Sequence, residues 1–329
     1  MKVIKTTEIY VPLMETEYEN HFGKFDTVLN ELCGLSEKLY VVFYKDKKSS
    51  LKIERATNAQ VKKYFQRKKE KKFTKYFLKF TTEYSFIDKE EIEFGLLAVT
   101  LITESYVKYL LIFLNIAKPG AFDSREGITI GTLNFETKTK VDKDVFPMLA
   151  NTIHLSLNLV GKYKWPPIQE LSINDTLKWF DKHWEAFTTM PKNRIERALN
   201  AFSYLFHDSL ADTSPSDLFF SLVGIEALFV EGNESVQKQV AVKSQLLLGK
   251  RNEFKKKFKE LYEFRSRYVH GQLNLINKYY LRDADTDLQD HLSKTYDNSN
   301  LAILILIASI QKHILLDKDE LAFEFILKD

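Results

Sequence analysis

An arginine, which can hold an anion, and a histidine, which can exchange a proton near neutral pH, stand five positions apart in Glu263-Phe-Arg-Ser-Arg-Tyr-Val-His-Gly271. Arg265 and His270 could therefore divide charge stabilisation and acid–base work between them. In a regular helix five residues turn through about 500°, which leaves the two side chains about 140° apart. They converge on one ligand only where the helix ends or distorts, and Gly271 suits the left-handed position just past a helix C-terminus. The same residue types also fit an ordinary helix end, where positive charge faces the negative end of the macrodipole. Spacing alone suits a cap as well as a site.

The elements around the pair read as helices. From about Asn252 to Val269 the sequence places Phe254, Phe258, Leu261, Tyr262 and Arg265 along one side. Ser214-Pro215-Ser216-Asp217 combines an N-cap serine, a proline in the first turn and an acid at the third position, so a helix should start there and run to Gly232. Inside it, Glu226 interrupts the apolar run LVGIEALF. A buried carboxylate needs a partner, and Arg265 or Arg267 would serve, orienting the site from behind; the alternative is a partly exposed or structural glutamate. Arg267 is either a second phosphate contact or an exposed helix charge. A further helix is expected from about Val236 to Leu248. Ile195, Ala198, Leu199, Phe202, Leu205 and Phe206 share one face behind a capping-box pair, Asn193 and Glu196. Leu301 to Ile310 reads as a buried helix with Asn300 as its N-cap. The two prolines in Lys162 to Gln169 punctuate the chain. Residues 171–329 are therefore expected to form an all-α helical bundle.

Residues 1–170 have a mixed texture. Val3 to Val11, Leu39 to Tyr44 and Ile128 to Phe135 are β-branched and aromatic runs that suggest strands. Glu91 to Ile116 reads as a long helix stopped by Lys118-Pro119-Gly120. This half is expected to be an α+β domain, its role open between sensing and substrate recruitment. Within it, Val61 to Lys79 carries nine Lys/Arg against one Glu, with aromatics interleaved. Lys62, Lys63, Arg67, Lys68, Lys69, Lys71 and Lys72 could track a nucleic-acid backbone while the rings stack on bases; an amphipathic helix with a solvated lysine face explains the same pattern.

Bulk composition narrows the choices. Lys+Arg at 48 against Asp+Glu at 45 leaves a net charge of only +3, so any basic patch is local. The single cysteine, Cys33, excludes an internal disulfide framework and a multi-cysteine zinc site. There is no HExxH, phosphate loop or dinucleotide fingerprint, so neither a metal nor a cofactor is expected. The N-terminus lacks the pattern of a signal peptide, and the longest apolar run is half a membrane span. A soluble, cytoplasmic protein away from membranes is expected.

Arg-Ser-Arg-Tyr-Val-His-Gly after a Leu-Tyr pair, preceded about 40 residues earlier by Gly224-Ile-Glu-Ala-Leu-Phe229, closely resembles the HEPN superfamily, in particular its Apea-like branch. That signature is an arginine, then a small polar residue, then a histidine a few positions on: here Arg265, Ser266 and His270. The resemblance covers roughly residues 190 to 315. It implies a helical HEPN domain acting as a metal-independent endoribonuclease, in an antiviral defence or toxin setting. The RNA's own 2′-hydroxyl would attack, His270 would be the general acid/base, and Arg265 would bind the scissile phosphate. It also implies a homodimer with a composite site, acting on single-stranded RNA and open to an activating or inhibiting partner. Gln272 stands where one branch carries a modified tyrosine, so that regulation is not carried over. The rival is a noncatalytic HEPN sensor or scaffold that binds nucleic acid or protein.

Overall fold

The computed structural model describes the chain apart from residues 1–2, 37, 44–46, 58–60, 62–73, 87–88, 136–137, 149, 185–188, 207–214, 233–234, 251–254, 274–285 and 324–329. It divides into two compact units, Met1–Asn151 with Phe206–Leu210, and Thr152–Leu205 with Ala211–Asp329. Pro166 and Pro167 fall inside the second.

In the first unit, β1 (Val3–Met14) alternates in burial along its first half and buries Val3, Lys5, Thr7, Ile9, Val11 and Leu13 on one face. Two short helices, α1 (Tyr18–His21) and α2 (Phe25–Cys33), follow it. Then come β2 (Leu39–Val42), β3 (Lys48–Arg55), β4 (Thr74–Phe86), the long helix α3 (Lys89–Ala117), β5 (Glu126–Asn134) and β6 (Thr139–Pro147). The strands form one antiparallel sheet in the order β2-β3-β4-β1-β5-β6. Helix α3 covers the face that carries Lys5, whose ammonium donates to the Leu96 carbonyl and the Thr100 hydroxyl. The opposite face packs Tyr10, Ile128 and Ile130 against Val61, with Phe77 alongside.

Strands β3, β4 and β6 lie where no strand is expected from the sequence. β6 is exposed along nearly its whole length, so polar residues occupy both its faces and no alternation marks it. The amphipathic-helix explanation for Val61 to Lys79 is corrected over Thr74–Lys79, which belongs to β4. There Tyr76 donates to Asp26 Oδ2 at 2.9 Å, and Lys79 pairs with Glu8.

The turn after α3 is tied by side chains. Asn115 Nδ2 donates to the Leu111 and Phe122 carbonyls at 2.9 and 2.8 Å, and Asn115 Oδ1 accepts from Phe122 N. Asp123 is buried beside it, accepting from Asn151 N at 3.2 Å. Burial pushes the Asp123 carboxyl up to about 6, against the pull of backbone N–H groups from Asn151 and Ser124 and of the Arg125 charge.

The second unit contains α4 (Ile153–Tyr163), α5 (Ile173–Asp181), α6 (Arg194–Ser203), α7 (Pro215–Phe229), α8 (Val236–Leu248), α9 (Lys255–Val269) and α10 (Thr286–Leu316). It is helical throughout its described elements. Helix α10 packs against α4, α6, α7, α8 and α9, and Leu301–Ile310 is buried on every side. The expectation that Asn300 caps this helix is corrected: α10 begins at Thr286, and Asn300 lies buried in mid-helix, accepting from Ser156 Oγ at 2.8 Å. The polar residues of its first half hid that extension. By length and composition alone, two helices among the described residues could cross a membrane. The apolar window is 83% buried in Thr286–Leu316, which accounts for it as a core helix, and 44% buried in Gly95–Ala117.

Helices α6 and α7 run antiparallel, with Tyr204 stacked on Phe220 at one end and Arg194 Nη1 2.7 Å from Glu231 Oε1 at the other. Between these contacts, a Cβ on Gly224 would lie 2.8 Å from Leu306 Cδ1 and 3.3 Å from Ala201 Cβ.

Two substitutions test this packing. Gly224→Ala gains about 1 kcal/mol of helix propensity but overpacks a site where Leu306 is fully buried, at a cost of roughly 1–3 kcal/mol, so a net loss of about 1 kcal/mol should appear in denaturant melts. For Asp123 the raised folded pKa means that the native state binds the extra proton between pH about 4 and about 6, so stability falls as pH rises through that window. Asp123→Asn should stabilise the protein by about 1–2 kcal/mol at pH 7.5 and leave it unchanged at pH 4.

Candidate functional site

Helix α9 is held by its apolar side: Phe258, Leu261 and Tyr262 are buried. Arg265 follows one turn later on that same side and reaches α7, where its Nη2 lies 3.4 Å from Glu226 Oε2. Both side chains are only partly covered, Arg265 at 34% exposed and Glu226 at 21%. The other carboxylate oxygen, Oε1, is buried and has no hydrogen-bond partner among the described residues. Burial raises the Glu226 carboxyl pKa, while the Arg265 charge pulls it back. With this single long contact among the described residues, most of the guanidinium's five N–H donors are available for an anion.

The end of α9 is closed by backbone. Gln272 N donates to the Arg267 carbonyl at 2.7 Å and Gly271 N to the Tyr268 carbonyl at 3.2 Å, with Gly271 at φ 66°. These two bonds with a left-handed glycine make a Schellman closure, for which glycine carries no Cβ penalty. His270 is the C-cap residue. Its backbone N–H is bound to the Ser266 carbonyl at 3.0 Å, while its ring is exposed and makes no hydrogen bond or ion pair with any described residue.

The structure thus brings Arg265 to Glu226 and leaves His270 apart from both. Ser266 and Arg267 are exposed, turned away from the buried side of α9. Of the two partners open for Glu226, Arg265 is the one in contact. Lys62, Lys63, Arg67, Lys68, Lys69, Lys71 and Lys72 lie outside the described residues. The inward-facing periodicity that marked α6 passed over that hairpin's outward residues, Arg197, Tyr204 and Phe219, all exposed. Their signal is the complementary one: Arg197 and Tyr204 stand seven apart, as do Phe219 and Glu226, which is one helix side in each case.

Removing Arg265 should expose the cost of the buried carboxyl. A raised folded pKa makes Glu226 stabilising only while protonated, so its contribution falls as pH rises above the ordinary glutamate range. Arg265→Ala takes away the opposing charge, so its destabilisation should be about 1 kcal/mol larger at pH 8 than at pH 4. In a Glu226→Gln background that pH dependence should vanish, read from urea midpoints across pH.

Among known proteins, no family model, no curated protein and no solved structure matches this chain.

Proposed function

We propose that the chain is a metal-independent endoribonuclease of the HEPN type, acting in the cytoplasm as a homodimer in a defence or toxin setting. The observation that carries the reading is the division at the end of α9: Arg265 is anchored by Glu226 with donors to spare, while His270 sits one turn on with a fixed backbone and an unencumbered ring. The first suits a phosphate and the second a proton. The helical second unit accommodates the HEPN resemblance of Gly224–Phe229 and Arg265–His270.

In the reaction, the 2′-hydroxyl of one nucleotide attacks the adjacent phosphorus. A P–O2′ bond forms and the P–O5′ bond breaks, leaving a 2′,3′-cyclic phosphate and a 5′-hydroxyl. His270 accepts the 2′-hydroxyl proton or delivers one to the departing 5′ oxygen. Arg265 neutralises charge that builds on the phosphate oxygens. Glu226 acts through Arg265, fixing the guanidinium's orientation. The HEPN resemblance implies a site completed by a second copy, which would bring two copies of Arg265 and His270 together at one cleft.

Cleavage of end-labelled single-stranded RNA in EDTA tests this. Wild type should cut and leave cyclic phosphate ends, and Arg265→Ala and His270→Ala should each lose at least about 100-fold in rate while remaining folded. A folded, dimeric wild type that leaves such RNA intact would instead favour a noncatalytic binding module.

A further inference from the structure

We propose that the outward face of the α6–α7 hairpin is a base-stacking subsite for single-stranded RNA that leads into Arg265; this deepens the ribonuclease reading and rests on it. Three aromatic rings meet there. Tyr204 stacks on Phe220 with centroids 4.4 Å apart and planes 15° from parallel, and Phe219 meets Phe220 edge-on at 5.4 Å. Tyr204 remains 58% exposed and Phe219 41%, so the stack ends in water with ring surface open.

The charges sit at the other end of the same face. On α7, Val223 and Glu226 follow Phe219 at spacings of four and three, on one side of the helix, and Glu226 lies about 10 Å along the axis from Phe219. Arg265 reaches that end from α9. On α6, Arg197 precedes Tyr204 by seven positions and shares its side, and the antiparallel pairing carries it towards the Glu226 end. Arg197 is exposed and makes no ion pair with any described residue. Along the helix axes the two guanidiniums therefore lie towards the Glu226 end and the three rings towards the other.

That arrangement fits an unpaired polynucleotide. A single strand offers π-faces to the rings and phosphates to the arginines, whereas a duplex keeps its base faces stacked inside. The exposed rings cost free energy in water until something planar or apolar covers them. With arginines at the far end, an anionic chain of planar bases is the occupant that satisfies both.

The test is an anisotropy titration of the full chain with a short labelled single-stranded RNA methylated at every 2′-oxygen, so that binding is read without cleavage. Tyr204→Ala and Phe219→Ala should each weaken binding about ten-fold, and Tyr204→Trp should retain it. Arg197→Ala should weaken binding and lower the salt slope by about one. Variants that bind as tightly as wild type overturn the subsite, as does a change of sedimentation mass with affinity unchanged, which would assign the rings to a protein contact. Wild type that cleaves unmodified RNA, with Tyr204→Ala binding normally, rejects the subsite alone. Affinity lost in Tyr204→Ala with no cleavage by wild type keeps the subsite and rejects the ribonuclease.

Discussion

The close approach of three helices at Gly224 is the constraint on which the second unit depends. With no side chain at that position, α7 comes near enough to α6 and α10 for Ala201 and Leu306 to occupy the space a Cβ would take. Both neighbours press on one side of α7, and that side takes up Ser221, Ile225 and Leu228, all within about 100° of Gly224. The arc beyond it carries Phe219 and Val223, both exposed. Glu226, two positions after Gly224 and about 200° around the helix, falls there. An apolar run such as LVGIEALF therefore yields a helix with one outward stripe, and its single carboxylate marks that stripe.

The second consequence concerns α9. Its buried residues Phe258, Leu261 and Tyr262 fix the rotation of the helix, and rotation decides that Arg265, rather than Arg267, meets Glu226. A half-buried carboxylate without that guanidinium would carry a desolvation cost with little to offset it, and an arginine without the carboxylate would sample many rotamers. The contact gives each group a reason to stay where it is. At 3.4 Å it is a loose pair, which orients the guanidinium while leaving it available.

Legibility followed periodicity. The inward face of α6 could be read because six apolar residues recur at helical spacing, and the end of α9 because only a few residue types tolerate the conformation that Gly271 adopts. Strand β6 and the first half of α10 could not, since exposed or polar segments have no apolar period to detect. The sheet's sequence-distant pairings, such as β1 with β4, leave no local mark either. At the site, residue types and a candidate partner were visible, but the choice between Arg265 and Arg267 depended on helix rotation. Tyr204 and Phe219 escaped because their seven-residue spacing to Arg197 and Glu226 marks only a shared helix side, and a search for the buried face passes over it.

The geometry at the end of α9 also bears on how such a site could be switched. In the proposed reaction the anion-binding group is held by a side-chain contact and the proton carrier by a backbone closure, so the two are stiffened by different means. The Schellman closure fixes the Cα of His270 but leaves χ1 and χ2 free, and nothing among the described residues selects a ring orientation or tautomer. An acid–base group in that state pays rotational entropy whenever it engages a substrate. A second copy, or the RNA itself, would supply the missing contacts. Under the proposed reaction a single protomer would be a poor catalyst, and activity would follow assembly on the substrate.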